Sequence, residues 1–262
     1  MAKPTGNRLL DAISARSREP ILSSLKHVAL PVRTQLYWPD EMPQFCYFLT
    51  GGIASIVAGL ANGASTEVGL VGNEGVVGAF HIIGPIAPAN ECFMQVPGSG
   101  YRVPLPVLRE CFKAEEEIRD RVLELVQVQS LGLSQVAACN KLHESEPRLA
   151  RWLLMIRDRV DSDTIQITQE FLGQMIGSRR TTVNGILSIM ERKGLLHHQR
   201  GKITISDRRH FEKAACNCYP LLRRSLDRLY EPDRTPPEAS RLSTKPSLHI
   251  AGSAVRPKCH NN

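Results

Sequence analysis

Arg179, Arg180, Thr181 and Asn184 stand close together, and their side chains suit nucleic acid better than any other chemistry in the chain. An arginine can donate paired hydrogen bonds to guanine in the major groove, and an asparagine can pair with adenine in the same way. On a helix, Thr181, Gly185, Ser188 and Arg192 fall on the face opposite Val183, Ile186, Leu187 and Met190, with Arg180 and Asn184 at the flanks and Arg179 at the start. The N-terminus of that helix itself favours a phosphate. Beyond Gly194, residues 195–205 read as a hairpin turning near Arg200 and Gly201, which sets Arg200 and Lys202 beside the phosphates. From Ile165 to Ile205 six Lys or Arg face two acids, Glu170 and Glu191. An ordinary helical hairpin with a solvated basic face is the plain alternative, and this local excess of positive charge argues against it.

A second set of reactive types is sparser. Cys216-Asn217-Cys218 can bind a metal or respond to oxidation, with His210 as a further ligand, and His197-His198 can ligate a metal beside the hairpin. Two cysteines one residue apart are more often plain thiols on a helix, and histidines near DNA more often meet phosphate or solvent, so no metal and no cofactor is expected. The chain has no nucleophile elbow, HExxH motif or phosphate-cradling loop, and an enzyme is not expected.

The elements needed to position the basic face are legible. Thr168 can cap a first helix, with Glu170 in its first turn and Phe171, Leu172, Met175 and Ile176 on one apolar face. Gly177 supplies the tight turn, Ser178 can cap the second helix, and Gly194 ends it. Two helices and a hairpin in this order make a winged helix-turn-helix, placed within residues 142–230. A helix over residues 146–160, with Leu149, Trp152, Leu153 and Ile156 inward, leads into it from a hinge near Asn140 to His143. Terminal helices follow over residues 210–230, interrupted by Pro220.

Upstream, residues 1–27 suggest one or two small amphipathic helices. Residues 28–105 show short apolar or alternating runs punctuated by glycine, proline and asparagine, the pattern of an antiparallel barrel or sandwich, with Asn62-Gly63 its best hairpin turn. Residues 106–141 are helical. Val122, Val126, Gln129, Leu133, Val136 and Asn140 follow spacings of 4, 3, 4, 3 and 4, a seam suited to an identical helix in a homodimer, although covering the β-domain is the alternative use of such a face. Glu115, Glu116 and Glu117 form a solvated first turn. Residues 231–262, rich in proline, serine and threonine, are expected to be a disordered tail. The fold class is therefore α+β: an N-terminal antiparallel barrel of jelly-roll type, a long dimerisation helix and a C-terminal winged helix-turn-helix.

Composition agrees with this division. At 262 residues and 42% apolar content the chain can build two modest cores, and a net charge of +7 favours a polyanionic partner. Seven scattered cysteines argue for reduced thiols, and residues 1–20 mix charges in a way that excludes a typical signal peptide. No run has the apolar length of a membrane span by inspection, so a cytoplasmic protein is expected.

This order of elements resembles the Crp/Fnr family of bacterial transcription regulators across most of residues 20–230. The most specific stretch is Gly177-Ser178-Arg179-Arg180-Thr181-Thr182-Val183-Asn184-Gly185-Ile186-Leu187, followed by Lys193-Gly194-Leu195; Tyr47-Phe48-Leu49 with Gly51-Gly52, and Gly75-Val76-Val77-Gly78, resemble the family's barrel turns. The resemblance implies a homodimer that reads double-stranded DNA with half-sites about 34 Å apart, works with RNA polymerase and answers an unknown small-molecule effector. Thr181 stands where the family's recognition helix has an acid and Gly185 where it has a second arginine, so the family's usual half-site does not carry over. Ala79 replaces the ribose-binding glutamate of members that bind a cyclic nucleotide, residues 87–93 hold no arginine for its phosphate, and no cysteine precedes Cys46 to bind an iron–sulfur cluster. The alternatives are a thiol- or metal-responsive regulator, and a ligand- or protein-interaction module without specific DNA reading.

Overall fold

The computed structural model describes residues 4–231 except 60, 62 and 64. Two short helices, α1 (Arg8–Asp11) and α2 (Ala15–Leu22), precede the strands β1 (Lys26–Leu30), β2 (Gln35–Tyr37), β3 (Phe45–Gly59), β4 (Ser65–Val71) and β5 (Val76–Val77). The short helix α3 (Ala79–Ile83) and strand β6 (Glu91–Pro104) complete this half. All strand pairs are antiparallel, in the order β1-β6-β3-β4, with β2 added on β6 and β5 on β3.

The glycine-separated runs Phe45 to Leu49 and Ile53 to Val57 read as two short strands, whereas the backbone runs through as one 15-residue strand with register shifts between Leu49 and Ala54. Gly98 of β6 explains why glycine is needed there. A Cβ at Gly98 would lie 2.0 Å from the carbonyl oxygen of Gly51, so the two bent strands cross too closely for any side chain. Leu30, Tyr37, Leu49, Ala54, Val71, Val77 and Met94 fill the inside of this curved sheet. Of the expected Asn62-Gly63 turn, Gly63 takes φ +80° as such a turn requires, and Asn62 lies outside the described residues.

The helical stretch is two helices, α4 (Leu105–Ala114) and α5 (Glu116–Leu142), separated by Glu115 in an extended conformation. Glu117 is more than a solvated first-turn acid: it accepts hydrogen bonds from the backbone N–H and the hydroxyl of Ser14 at 2.8 and 2.6 Å. The proposed dimer seam needs correcting. Val122 is 1% exposed in the protomer's own core with Leu10, Phe48, Leu108 and Leu125, and Val126 packs against the same cluster. Gln129, Leu133 and Val136 line a cleft closed by Leu70 of β4, Met155 and Leu222. Val122 and Val126 therefore face inward, because the 3.6-residue repeat that suits a partner helix equally suits the protein's own sheet, while Gln129, Leu133 and Val136 are half-buried along the cleft. The face left open carries Leu123, Leu131, Ala138 and Leu142. Helix α5 is also long and uncharged enough, by length and composition, to cross a membrane, which corrects the expectation that no run qualifies. Lys141 is its one ionised residue after Glu124, and its many glutamines and serines hid this from inspection.

The chain then forms α6 (Ser145–Val160), β7 (Thr164–Gln166), α7 (Gln169–Ile176), α8 (Arg180–Arg192), β8 (Leu196–Gln199), β9 (Lys202–Ile205), α9 (Arg208–Ala214) and α10 (Cys218–Arg228). The three-residue β7 is too short to show an alternating pattern in the sequence; it pairs with β9 to widen the hairpin into a sheet ordered β7-β9-β8. The terminal helices break at Ala215 to Asn217 and not at Pro220, which sits harmlessly in the first turn of α10 where its missing N–H has no helical partner. Of the expected tail, Glu231 is described and residues 232–262 lie outside the described residues.

Candidate nucleic-acid interface

Helix α7 begins as its sequence asks: Thr168 Oγ1 accepts the backbone N–H of Phe171 at 3.2 Å. It ends at Gly177, whose φ of +62° lets the N–H of Ser178 reach the carbonyl of Gly173 at 2.8 Å and that of Gly177 reach Gln174 at 3.3 Å. Ser178 is thus spent closing α7 and does not cap α8. Arg179 occupies the N-cap position of α8 without a side-chain cap, so among the described residues the first-turn N–H groups have no side chain accepting from them. That end can receive an anion.

The apolar face of α8 is locked in place. Val183, Ile186, Leu187 and Met190 are buried in one core with Leu149, Trp152, Leu153, Leu172 and Ile176. The opposite face is open: Arg179, Arg180, Thr181, Asn184 and Arg192 are exposed and Ser188 is half-buried. Gly194, at φ +70°, closes the helix through the bond from the Leu195 N–H to the Met190 carbonyl at 3.0 Å. Arg200 and Lys202 are exposed at the tip of the β8–β9 hairpin, where Gly201 turns with φ +75°.

Two details lay outside the sequence reading. Gln169 joins the open face, its Nε2 donating to Asn184 Oδ1 at 3.1 Å, and its place directly after the Thr168 cap was the signal that could have found it. A Cβ at Gly185 would meet nothing within 4 Å, so the protomer's packing does not demand glycine at a position where it weakens the helix. The bare backbone there allows a close approach from outside. Of the six cations counted in the sequence, Lys193 is partly neutralised by Glu146 at 2.6 Å, an exposed pair of small energetic value. His197 and His198 both lie beside Glu191. His210 rests against Asp207, so it is not the neighbour of the cysteine pair; Cys216 and Cys218 meet Cys139 and His143 instead.

The head carrying α8 is seated on the strand domain. Ile53 and Val57 of β3 belong to its core, and Phe93 meets Phe171 edge to face at 5.9 Å. Arg159 of α6 reaches Glu74 at 2.9 Å with both side chains almost fully enclosed, and Gln174 of α7 donates to Ser65 Oγ at 2.6 Å. Trp152 of α6 donates its indole N–H to Glu67 of β4 at 2.7 Å. Burial pushes the Glu67 carboxyl up to about 7, against the lowering effect of its hydrogen bonds from Ser55 and Trp152.

Residues 147–214 match the family described as the Crp-like helix-turn-helix domain. Comparison with curated protein sequences gives no match. Among solved structures, the chain resembles a Eubacterium rectale protein assigned to the crp/fnr family of transcriptional regulators, with TM-score 0.64 and 16% identity over 80% of this chain and 99% of that one. It also resembles FixK2 from Bradyrhizobium japonicum, with TM-score 0.63 and 14% identity over 73% and 98%. The c-di-GMP responsive global regulator CLP of Xanthomonas campestris aligns with TM-score 0.61 and 16% identity over 74% and 100%. At these identities the likeness is one of fold.

Proposed function

We propose that this chain, a Crp-like helix-turn-helix domain carried on the Crp/Fnr fold, is a sequence-specific transcription regulator that binds double-stranded DNA as a homodimer in the cytoplasm. The observation that carries the reading is helix α8: its apolar face is fixed in the core, its N-terminus is uncapped, and its open face presents Arg179, Arg180, Thr181, Asn184 and Arg192. Arg180 and Asn184 read base edges, Arg179 and the free N–H groups hold a phosphate, and Arg200 and Lys202 touch the backbone from the wing. RNA polymerase and a small-molecule effector complete the set of partners. The effector acts by favouring one arrangement of the two heads over another.

The open stripe of α5 supports the dimer. Leu123, Leu131 and Leu142 are 45%, 60% and 77% exposed along one helix, an apolar face without cover among the described residues. Leu131→Glu places a charge on that seam in both copies. Losing a buried leucine worth about 1.5–3 kcal/mol twice weakens the dimer roughly 100-fold or more. Analytical ultracentrifugation checks this, and a variant that stays dimeric at the wild-type concentration dependence removes α5 from the interface.

Selection of genomic fragments by the purified protein tests the function itself. The expected product is a two-fold-related site with half-sites one helical turn apart. Recovery of random fragments with no shared sequence sinks the reading.

A further inference from the structure

We propose that Cys139, His143, Cys216 and Cys218 form a tetrahedral zinc site that ties the C-terminal end of α5 to the link between α9 and α10. Cys139 lies in the last turn of α5 and His143, four residues on, is the residue that caps its C-terminal end; Cys216 and Cys218 flank Asn217 where the chain turns into α10. Their four ligand atoms lie within 4.8 Å of one another, and three of the four residues are buried. Cys139 Sγ stands 3.5 Å from Cys216 Sγ and 3.4 Å from His143 Nδ1, and Cys218 Sγ is 3.6 Å from the same nitrogen.

Those separations are the ones a metal would impose. Tetrahedral bonds of about 2.3 Å to sulfur and 2.0–2.1 Å to nitrogen put sulfurs roughly 3.8 Å apart and sulfur and nitrogen roughly 3.6 Å apart. The surroundings fit the charge as well. Three thiolates and a neutral imidazole on Zn²⁺ carry a net charge of −1, and binding releases three thiol protons. Arg148 and Arg151 are buried at 9% and 4% exposure, Arg148 facing Cys139 and Cys216 and Arg151 facing Cys139. Their hydrogen bonds go to neutral acceptors: Arg148 to the carbonyls of Asn140 and Ile176, Arg151 to Met155 Sδ. An anionic cluster offsets these guanidiniums, and three neutral thiols do not. Gln135, one turn before Cys139, donates its amide to Cys218 Sγ at 3.0 Å, the outer-shell support expected for a ligating sulfur.

A simple dithiol fits less well. A Cys139–Cys216 disulfide leaves His143 and Cys218 without purpose, though both converge on the same point. The site spans the step from α5 through His143 and Glu144 into α6, so a bound ion fixes the joint between the long helix and the DNA-reading head. Zinc binding stands apart from the DNA-binding reading and is tested without it.

Full-length protein purified under reducing conditions without a metal-affinity tag is expected to contain about one zinc per chain by plasma mass spectrometry. Protein stripped by a chelator under reductant and titrated with Co²⁺ is expected to show thiolate-to-cobalt charge transfer and the intense visible bands of a tetrahedral site. Cys216→Ser and Cys139→Ser lose the zinc, Cys111→Ser keeps it, and His143→Cys keeps cobalt with a spectrum shifted toward four sulfurs. If the serine variants fail to fold, the wild-type cobalt spectrum decides alone. A wild-type chain that yields no zinc and no tetrahedral cobalt spectrum overturns the proposal, as does a Cys216→Ser variant with unchanged metal content.

Discussion

Arg180→Ala is expected to lower affinity for a selected DNA site by 30-fold or more while lowering affinity for unrelated DNA far less. A bidentate arginine–guanine contact contributes about 1–3 kcal/mol of discrimination, and a dimer loses it in both half-sites, which gives roughly 2–6 kcal/mol in total. The structure leaves Arg180 exposed at the first position of α8, with Thr181 and Asn184 on the same open face. Arg179→Ala serves as the contrast. Arg179 sits at the uncapped N-terminus, where a phosphate would be held, so its loss is expected to weaken specific and unrelated DNA alike and to reduce the slope of log affinity against log salt by about 2 for the dimer. Competition binding at several salt concentrations separates the two effects. An Arg180→Ala protein with an unchanged ratio of specific to unrelated affinity removes α8 as the reading helix.

The helix-turn-helix head was legible because its signals are local. Thr168, Gly177, Gly194 and Gly201 each act within a few residues, through a cap or a left-handed turn, and they stand in the structure where spacing put them. Periodicity located the long helix but not its partner, since a stripe such as Val122 to Val136 looks the same whether it meets a second chain or the chain's own β4 and α10. Strand β3 was split because Gly51 and Gly52 read as punctuation, whereas Gly52, at φ +80° and with no room for a Cβ, lets β6 cross closely at Gly98. The cysteine cluster was the least legible feature. Cys139 and Cys216 are 77 positions apart, and only the folding of α10 along α5 makes them neighbours.

Glu67 links that packing to solution conditions, and replacing it is expected to raise stability at pH 8 by about 3 kcal/mol. The carboxyl is buried between β3, β4 and α6 and accepts hydrogen bonds from Ser55 at 2.8 Å and Trp152 at 2.7 Å. Ser55 has one hydroxyl proton and two acceptor neighbours, Glu67 Oε2 and Gln95 Oε1, the latter at 2.6 Å. A protonated Glu67 resolves the conflict by donating to Ser55, which then donates to Gln95. The folded carboxyl titrates at about 7 against an ordinary 4.5, so between those values the folded chain holds a proton that the unfolded chain has released. Stability from this group is therefore full below pH 4.5 and lost as pH rises through 7; a gap of that size corresponds to about 3 kcal/mol. Glu67→Gln mimics the protonated form, its oxygen accepting from Trp152 and its amide donating to Ser55. Urea unfolding of both proteins is expected to give nearly equal stabilities at low pH and a difference that grows to about 3 kcal/mol in favour of the variant above pH 7. A difference that stays constant with pH shows that Glu67 does not titrate in this window. Because Trp152 lies on α6 of the helix-turn-helix head, the same ionisation is expected to loosen the seat of that head on the strand domain, and head-detaching proteolysis is expected to speed up above pH 7 in the wild type and not in Glu67→Gln.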